Sequence, residues 1–362
     1  MKILIAPDSF KGSISATGAS EAIARGWCKV RPADEISILP LADGGEGTLD
    51  ALHRALGGSI QTTSALSPDN REVSAHWLLL DDGTAIVELA TASGLPMMDK
   101  LQPLTAHTYG FGQLLRTAAT HPRVTNIVAT VGGSASTDGG VGALKALGYR
   151  FLNQGGVEIE NGGMGLATLA SIDSSEGISP PPGGVLLLTD VDNPLLGPRG
   201  AAHTFAPQKG ATAEEVELLE CALNNFEEVV GANPEIAGSG AAGGTAYGLT
   251  HLWGARIHSG SEFIFEKLDV ARKIEEADLI ITGEGSLDSQ SFDGKVIGSL
   301  LQLTHGASKP LWAVVGINKS GESSRIAGVT SLTEISGSPQ AAMVDAAYWL
   351  EVAGESAAST FA

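Results

Sequence analysis

The stretch Ala277-Asp278-Leu279-Ile280-Ile281-Thr282-Gly283-Glu284-Gly285-Ser286-Leu287-Asp288 constrains the fold more than any other part of the chain. Its run Leu279–Ile281 has the length and branching of a strand buried on both faces, the texture of a parallel sheet. Gly283 and Gly285 are expected to end the strand at once. Beyond it come three acids (Glu284, Asp288, Asp293), serines at 286, 289, 291 and 299, and Lys295 at the start of a helix expected to reach Leu303. Open parallel sheets bind ligands beyond the carboxyl ends of their strands. A loop so rich in oxygen groups can hold a metal, a phosphate or a hydroxyl; a solvated turn with a helix cap is the plainer alternative.

The N-terminus repeats this pattern. Ile3–Ala6 reads as a buried strand that ends in Pro7-Asp8-Ser9-Phe10-Lys11-Gly12-Ser13, with a helix following to about Trp27. Asp8 can orient a hydroxyl or ligate a metal there, and Lys11 and Ser13 can hold phosphate oxygens, unless the segment is only an Asp turn with a surface lysine. A second strand, Glu35–Leu39, runs into Pro40-Leu41-Ala42-Asp43-Gly44-Gly45-Glu46-Gly47-Thr48, where Thr48 is a natural N-cap for a helix to Leu56. After Asp278 come strands at Leu279–Ile281, Leu311–Val315 and near Thr330–Glu334. A closing helix over about Gln340–Val352 would bury Met343, Val344, Ala347, Tyr348 and Leu350 as one stripe, and the end from Gly354 is expected to fray.

Two strands before Gly58 and three after Asp278 make a flavodoxin-like, doubly wound parallel five-stranded sheet. Right-handed crossovers with strand order 2-1-3-4-5 set the first strand beside the third, so the switch point falls between Asp8 and Glu284.

Between these ends the texture changes. Ile60–Leu66 and Val73–Leu80 flank the turn Ser67-Pro68-Asp69-Asn70, and Asp82-Gly83 makes a second tight turn, which reads as antiparallel meander. A helix near Thr105–Thr120 and a strand at Asn126–Thr130 lead to Val131-Gly132-Gly133-Ser134-Ala135-Ser136-Thr137-Asp138-Gly139-Gly140, which opens a helix through Leu147. Thr137 or Asp138 can cap that helix, and its free N–H groups would receive an anion. The strand Gly184–Leu188 delivers Thr189-Asp190-Val191-Asp192-Asn193-Pro194, two carboxylates and an amide that suit Mg²⁺, or else an Asx turn. The small residues of Ala237–Gly248 allow close backbone contact with a ligand, or a hinge. The expected domains are therefore 1–57 plus 276–362, a discontinuous flavodoxin-like α/β domain, and 58–275, a large inserted α/β domain of mixed sheet that closes over the cleft.

Charge narrows the function classes. A net charge of −19 without any cluster of Lys and Arg argues against nucleic-acid and anionic-membrane partners. Cys28 and Cys221 lack metal or disulfide spacing, and no apolar run or leader suggests a membrane or secretory route, so a cytoplasmic protein is expected. Neither G-x-x-x-x-G-K-[ST] nor a well-placed G-x-G-x-x-G occurs, which counts against a P-loop enzyme and against a dinucleotide-dependent dehydrogenase. A non-catalytic binding protein would not need so many strand-end carboxylates, because clustered buried charge is costly without a compensating cation or substrate.

Together, Pro7–Ser13, Leu41–Thr48, Gly132–Gly140, Thr189–Pro194 and Thr282–Asp288 resemble the bacterial glycerate kinase family, type I, in the family's order and across most of the chain. The resemblance implies ATP-dependent, Mg²⁺-assisted phosphorylation of D-glycerate to 2-phosphoglycerate in an interdomain cleft, with 3-phosphoglycerate as the alternative product. Phosphoryl transfer asks for in-line positioning, charge neutralisation and one proton acceptor. On that chemistry Asp190 is the candidate base or metal ligand, and Lys11 and Asp8 complete the catalytic set. Substrate or phosphate contacts are expected from Ser9, Ser13, Gly133, Ser134, Ser136, Thr137, Ser286 and Lys295. Asp43, Asp192, Glu284 and Asp288 are the metal candidates. Glycerate's carboxylate would fall to a helix start or to Lys295, as no arginine lies in the motifs; oligomeric state is not legible.

Overall fold

The computed structural model describes residues 1–45, 47–292, 296–319 and 326–361. They group into two compact units: unit 1 holds Met1–Asp43, Asp50–Leu56 and the chain from Gly260 onward, and unit 2 holds Gly44–Leu49 and Gly57–Ser259.

The strands of unit 1 are β1 (Lys2–Ile5), β2 (Glu35–Ile38), β11 (Leu279–Leu287), β12 (Leu311–Asn318) and β13 (Gly328–Ser331). They form one parallel sheet in the order β13-β12-β11-β1-β2, which is the expected flavodoxin-like arrangement with β1 beside β11. Ile3, Ile5, Leu279, Ile281 and Val314 supply the sheet's part of a core completed by Ile23, Trp27 and Leu350.

Three local expectations change. The strand β11 does not stop at Gly283 but pairs with β12 through Leu287, with Glu284 opposite Val315. A Cβ on Gly283 would stand 2.3 Å from the Val314 carbonyl oxygen, so glycine there admits a close neighbour and does not break the strand. The closing helix is two helices, Pro339–Val344 and Ala346–Thr360, with Asp345 between them at φ −129 and ψ 51. The break destroys the single stripe, and Met343, Val344 and Tyr348 are exposed while Leu350 is buried. Nor does the end fray: Ala353, Ala357 and Ala358 are fully buried where this helix packs on Ala16–Val30. That packing is close. A Cβ on Gly26 would stand 1.9 Å from the Glu351 carbonyl oxygen, and one on Gly354 would stand 2.3 Å from that of Ile23.

Unit 2 contains β3 (Ser59–Leu66), β4 (Glu72–Leu79), β5 (Thr84–Glu88), β6 (Asn126–Thr130), β7 (Arg150–Leu152), β8 (Ser171–Asp173), β9 (Val185–Leu188) and β10 (Arg256–His258). Its main sheet, ordered β10-β9-β6-β5-β4-β3, is antiparallel at the β3-β4-β5 end and parallel from β5 to β10; β7 and β8 form a separate pair. Phe111, Phe226, Tyr247 and Trp253, from the helices Tyr109–Ala119, Ala213–Val230 and Ala241–Trp253, share one core with Val87, Ile127 and Leu187. The small-residue segment 237–248 packs against protein backbone. Gly139 N–H donates to the Gly243 carbonyl at 3.0 Å, and a Cβ on Gly243 would stand 2.3 Å from the Ser136 carbonyl oxygen.

Candidate active site

Backbone pairing between β1 and β11 continues past Ile5, as Ala6 N–H donates to the Ile281 carbonyl at 2.7 Å and Asp8 N–H to that of Gly283 at 2.8 Å. On the other side, Leu41 N–H donates to the Pro7 carbonyl at 2.9 Å and brings Asp43 in after β2. Three strand ends thus bring Asp8, Asp43 and Glu284 together at the topological switch point. Glu284 and Ser286, two apart on β11, lie on one face of it. These residues line a cavity of about 360 Å³ together with Ser9, Lys11, Ser13 and Asp288. Its lining also includes the apolar side chains of Phe10, Ile317, Leu332, Ala342 and Met343.

The acidic end carries strong electrostatics. Asp8 is buried and its carboxyl is pushed up to about 7, by burial first and by the Asp43 charge second, while the Ser9 N–H bond and Lys11 act in the opposite direction. The Lys11 ammonium stands 3.5 Å from the Asp43 carboxylate but is 68% exposed, so the pair stabilises the fold by at most about 1 kcal/mol. Ser286 Oγ is buried without a hydrogen-bond partner among the described residues. Lys295 and Asp293 lie outside the described residues.

Unit 2 holds the remaining candidates. The loop after β6 is pinned by Leu95 N–H to the Gly133 carbonyl at 2.8 Å and by Ala135 N–H to the Ser93 carbonyl at 3.0 Å. Ser134 is 6% exposed, and Ser136, Thr137 and Asp138 are fully buried. The helix that follows runs only Val141–Ala146, and its first N–H groups are already engaged. Asp138 accepts from Gly140 N–H at 3.3 Å, Gly142 N–H at 3.2 Å, and both Thr108 N–H and Thr108 Oγ at 2.8 Å. Thr108 Oγ in turn accepts from Ala143 N–H at 2.9 Å. The expected cradle of free amides is therefore a closed internal cap. What stays open is a set of hydroxyls: Ser136 Oγ and Thr137 Oγ have no partner among the described residues.

Asp190 is half-buried and accepts from Ser259 Oγ at 2.7 Å. Asp192 is different. Its carboxylate is 78% exposed in unit 2 with Arg199 at 3.7 Å, so it is not among the carboxylates of the unit 1 cavity.

Two residues escaped the sequence reading. Lys209 is 2% exposed, and its ammonium nitrogen donates to Ser134 Oγ at 2.9 Å and to the Ser136 carbonyl. Burial brings this amine down to about 7. It sits in Ala206-Pro207-Gln208-Lys209-Gly210, far in sequence from any motif, and nothing local marks it. Glu88 is 4% exposed and accepts from Gly47 N–H at 3.0 Å and Leu49 N–H at 3.1 Å. It, and not Thr48, caps this helix start; Thr48 Oγ donates instead to the Gly45 carbonyl at 2.8 Å. A signal existed for Glu88, an acid at the carboxyl end of the apolar run Thr84–Val87.

The carboxylates and hydroxyls of the unit 1 cavity are oxygen donors, which suit a hard cation such as Mg²⁺. Among the described residues no group of three or more His, Cys, Asp or Glu is placed to hold a metal ion by protein atoms alone.

A parallel sheet with an acidic cavity at its switch point, together with a second mixed-sheet unit, defines a two-unit α/β protein. The model of the glycerate kinase family matches residues 3–362. The glycerate kinase of Bacillus subtilis is 41% identical over 87% of this chain and 85% of its own length, and the glycerate 2-kinase of Escherichia coli is 38% identical over the same shares. A crystal structure assigned as glycerate kinase 2 from Salmonella typhimurium LT2 superposes with a TM-score of 0.81 at 35% identity, covering 100% of this chain and 98% of that one. The chain belongs to the glycerate kinase family. Among the described residues no helix is long and apolar enough to cross a membrane.

Proposed function

We propose that the protein transfers the γ-phosphoryl group of ATP to the C2 hydroxyl of D-glycerate, giving 2-phosphoglycerate and ADP. The observation that carries this reading is the unit 1 cavity, which sets acids, serines and an exposed lysine ammonium at the switch point of a family member 38% identical to a glycerate 2-kinase.

In the reaction the hydroxyl oxygen attacks the γ-phosphorus, the bond to the β–γ bridging oxygen breaks, and the hydroxyl proton leaves to a base. Asp190 is the proposed base, oriented by Ser259. Lys11 neutralises charge on the phosphates, and Asp8 is held by the backbone to orient what enters beside it. Ser9, Ser13 and Ser286 are the proposed hydrogen-bond partners of phosphate oxygens, with Ser134, Ser136 and Thr137 as polar contacts of unit 2. Asp43 and Glu284 are the residues that would hold Mg²⁺, which when bound would supply neutralisation of the charge developing on the phosphates. Exposed, unpaired Cys28 and Cys221 favour a reducing, cytoplasmic setting.

Phosphorus NMR of the product formed from ATP, Mg²⁺ and D-glycerate tests the reading. A 2-phosphoglycerate signal is expected. A 3-phosphoglycerate signal would keep the enzyme class and reverse the substrate's pose, and no phosphoester at all would overturn the function.

A further inference from the structure

Glycerate is too small and too polar to account for the unit 1 cavity. Each of its carbons bears oxygen, so none of it gains by lying on an apolar wall, and placing its hydroxyls there without partners is costly. Yet the lining of a cavity of about 360 Å³ includes the apolar side chains of Ile317, Leu332, Ala342 and Met343. That volume falls in the usual range for sites that enclose a larger small molecule, roughly 300–1,000 Å³. The same lining includes the acid, serine and lysine cluster, with Ser286 paired beside Ile317. A ligand that fits must be flat and apolar at one end and highly charged at the other.

Met343 adds a second observation. It is 55% exposed although it lines the cavity, an apolar side chain reaching solvent at the rim. A Cβ at Gly12 would stand 4.0 Å from the Met343 methyl carbon, so this rim meets the Lys11-Gly12-Ser13 turn directly. The apolar wall and the lysine that offers charge are therefore parts of one continuous surface. A thioether is well suited to lie against an aromatic ring. All of these residues belong to unit 1.

Resting on the kinase reading above, we propose that the unit 1 cavity is a nucleoside triphosphate site, with the purine ring against Ile317, Leu332, Ala342 and Met343 and the phosphates directed to Lys11, Ser9 and Ser13. Unit 1 supplies the purine's contacts, and D-glycerate is recognised by other residues.

Two substitutions and one photoprobe test this. Met343→Glu puts a carboxylate on an exposed position where folding is not at risk, and Ile317→Trp fills the slot. By calorimetry each is expected to weaken MgATP binding by at least about tenfold, while the KM for D-glycerate moves less than about twofold. An azidoadenine triphosphate photoprobe on the wild-type protein is expected to label the peptide spanning residues 332–346. Photolabelling confined to unit 2, or unchanged MgATP affinity in a folded Met343→Glu protein, overturns the nucleotide site while leaving the kinase reading intact. Loss of D-glycerate affinity with MgATP binding unchanged would give the cavity to the other substrate. A wild-type protein that binds no nucleotide removes both readings, and the phosphorus NMR experiment then reports the same failure independently.

Discussion

The ammonium nitrogen of Lys209 lies 2.9 Å from Ser134 Oγ, inside unit 2 and almost out of reach of water. With the Ser136 carbonyl as its other acceptor, it braces the loop that follows β6 from beneath. Its nearest compensating charge is Asp138, which raises the amine's proton affinity but less than burial lowers it.

This burial makes stability depend on pH in a defined direction. Lys209 is held at about 7 in the folded protein against 10.5 unperturbed, so between those values the unfolded chain binds the extra proton. Stability contributed by this site therefore rises with pH across that window, by up to about 1.4 kcal/mol per pH unit. Urea titrations at several pH values are expected to show the rise in the wild type and its loss in Lys209→Met. An identical pH dependence in the two proteins would contradict the buried-amine assignment.

Asp138 should be among the costliest acids to remove. It satisfies three backbone N–H groups and one hydroxyl in a fully buried position. Asp138→Ala strands those donors and deprives Lys209 of its counter-charge, and a loss of about 3–5 kcal/mol is expected. Asp138→Asn retains part of the acceptor capacity and should fall between. Chemical denaturation of both variants checks the order.

Glu88→Gln is a milder case. Its carboxylate holds the Gly47 and Leu49 N–H groups. The amide can accept only through one oxygen, so a loss of about 0.5–2 kcal/mol is expected, the range for a lost helix cap. A shift in thermal midpoint with unchanged far-ultraviolet dichroism would be the signature.

In the metal-free protein Asp8 and Asp43 should titrate as neighbours. Asp43→Asn removes the second largest cause of Asp8's elevation and leaves the largest, burial. The Asp8 carboxyl is therefore expected to drop from about 7 without returning to 3.8, as carbon NMR of the labelled side chain would show. Because the folded value is the higher, this group costs stability as pH rises from 3.8 to about 7, and Asp43→Asn should reduce that cost.

For Asp190→Ala the expected effect is on turnover, a fall of about 10²–10⁴ in kcat with substrate KM values little changed. Ser259→Ala should cost less, since it removes only the hydrogen bond that orients the carboxylate. Turnover within a few-fold of wild type in Asp190→Ala would eliminate the residue as base.

What the sequence disclosed was the part written in local pattern. The runs Ile3–Ala6, Glu35–Leu39 and Leu311–Val315 announce parallel strands, and chain direction together with crossover handedness sets their order. The acids beyond them follow from strand ends alone. What stayed hidden depends on partners distant in the chain. Gly283 looks like a strand breaker until Val314 is seen against it, and the apolar residues 343–350 look like one stripe until Asp345 interrupts the helix. Lys209 carries no local mark because its role is set by Ser134 and Ser136, more than seventy positions earlier.

The glycine-lined contact between the helices Ala16–Val30 and Ala346–Thr360 has a consequence for how the molecule is made. Trp27 and Ile23 have no finished surroundings until the second helix has left the ribosome, and β1 waits for β11. Residues 57–259, by contrast, are contiguous and carry their own core. During synthesis, then, unit 2 can close while unit 1 is still open at its first strand. The acidic cavity comes into being after unit 2, so an interrupted chain would carry a folded unit 2 and no place for the nucleotide.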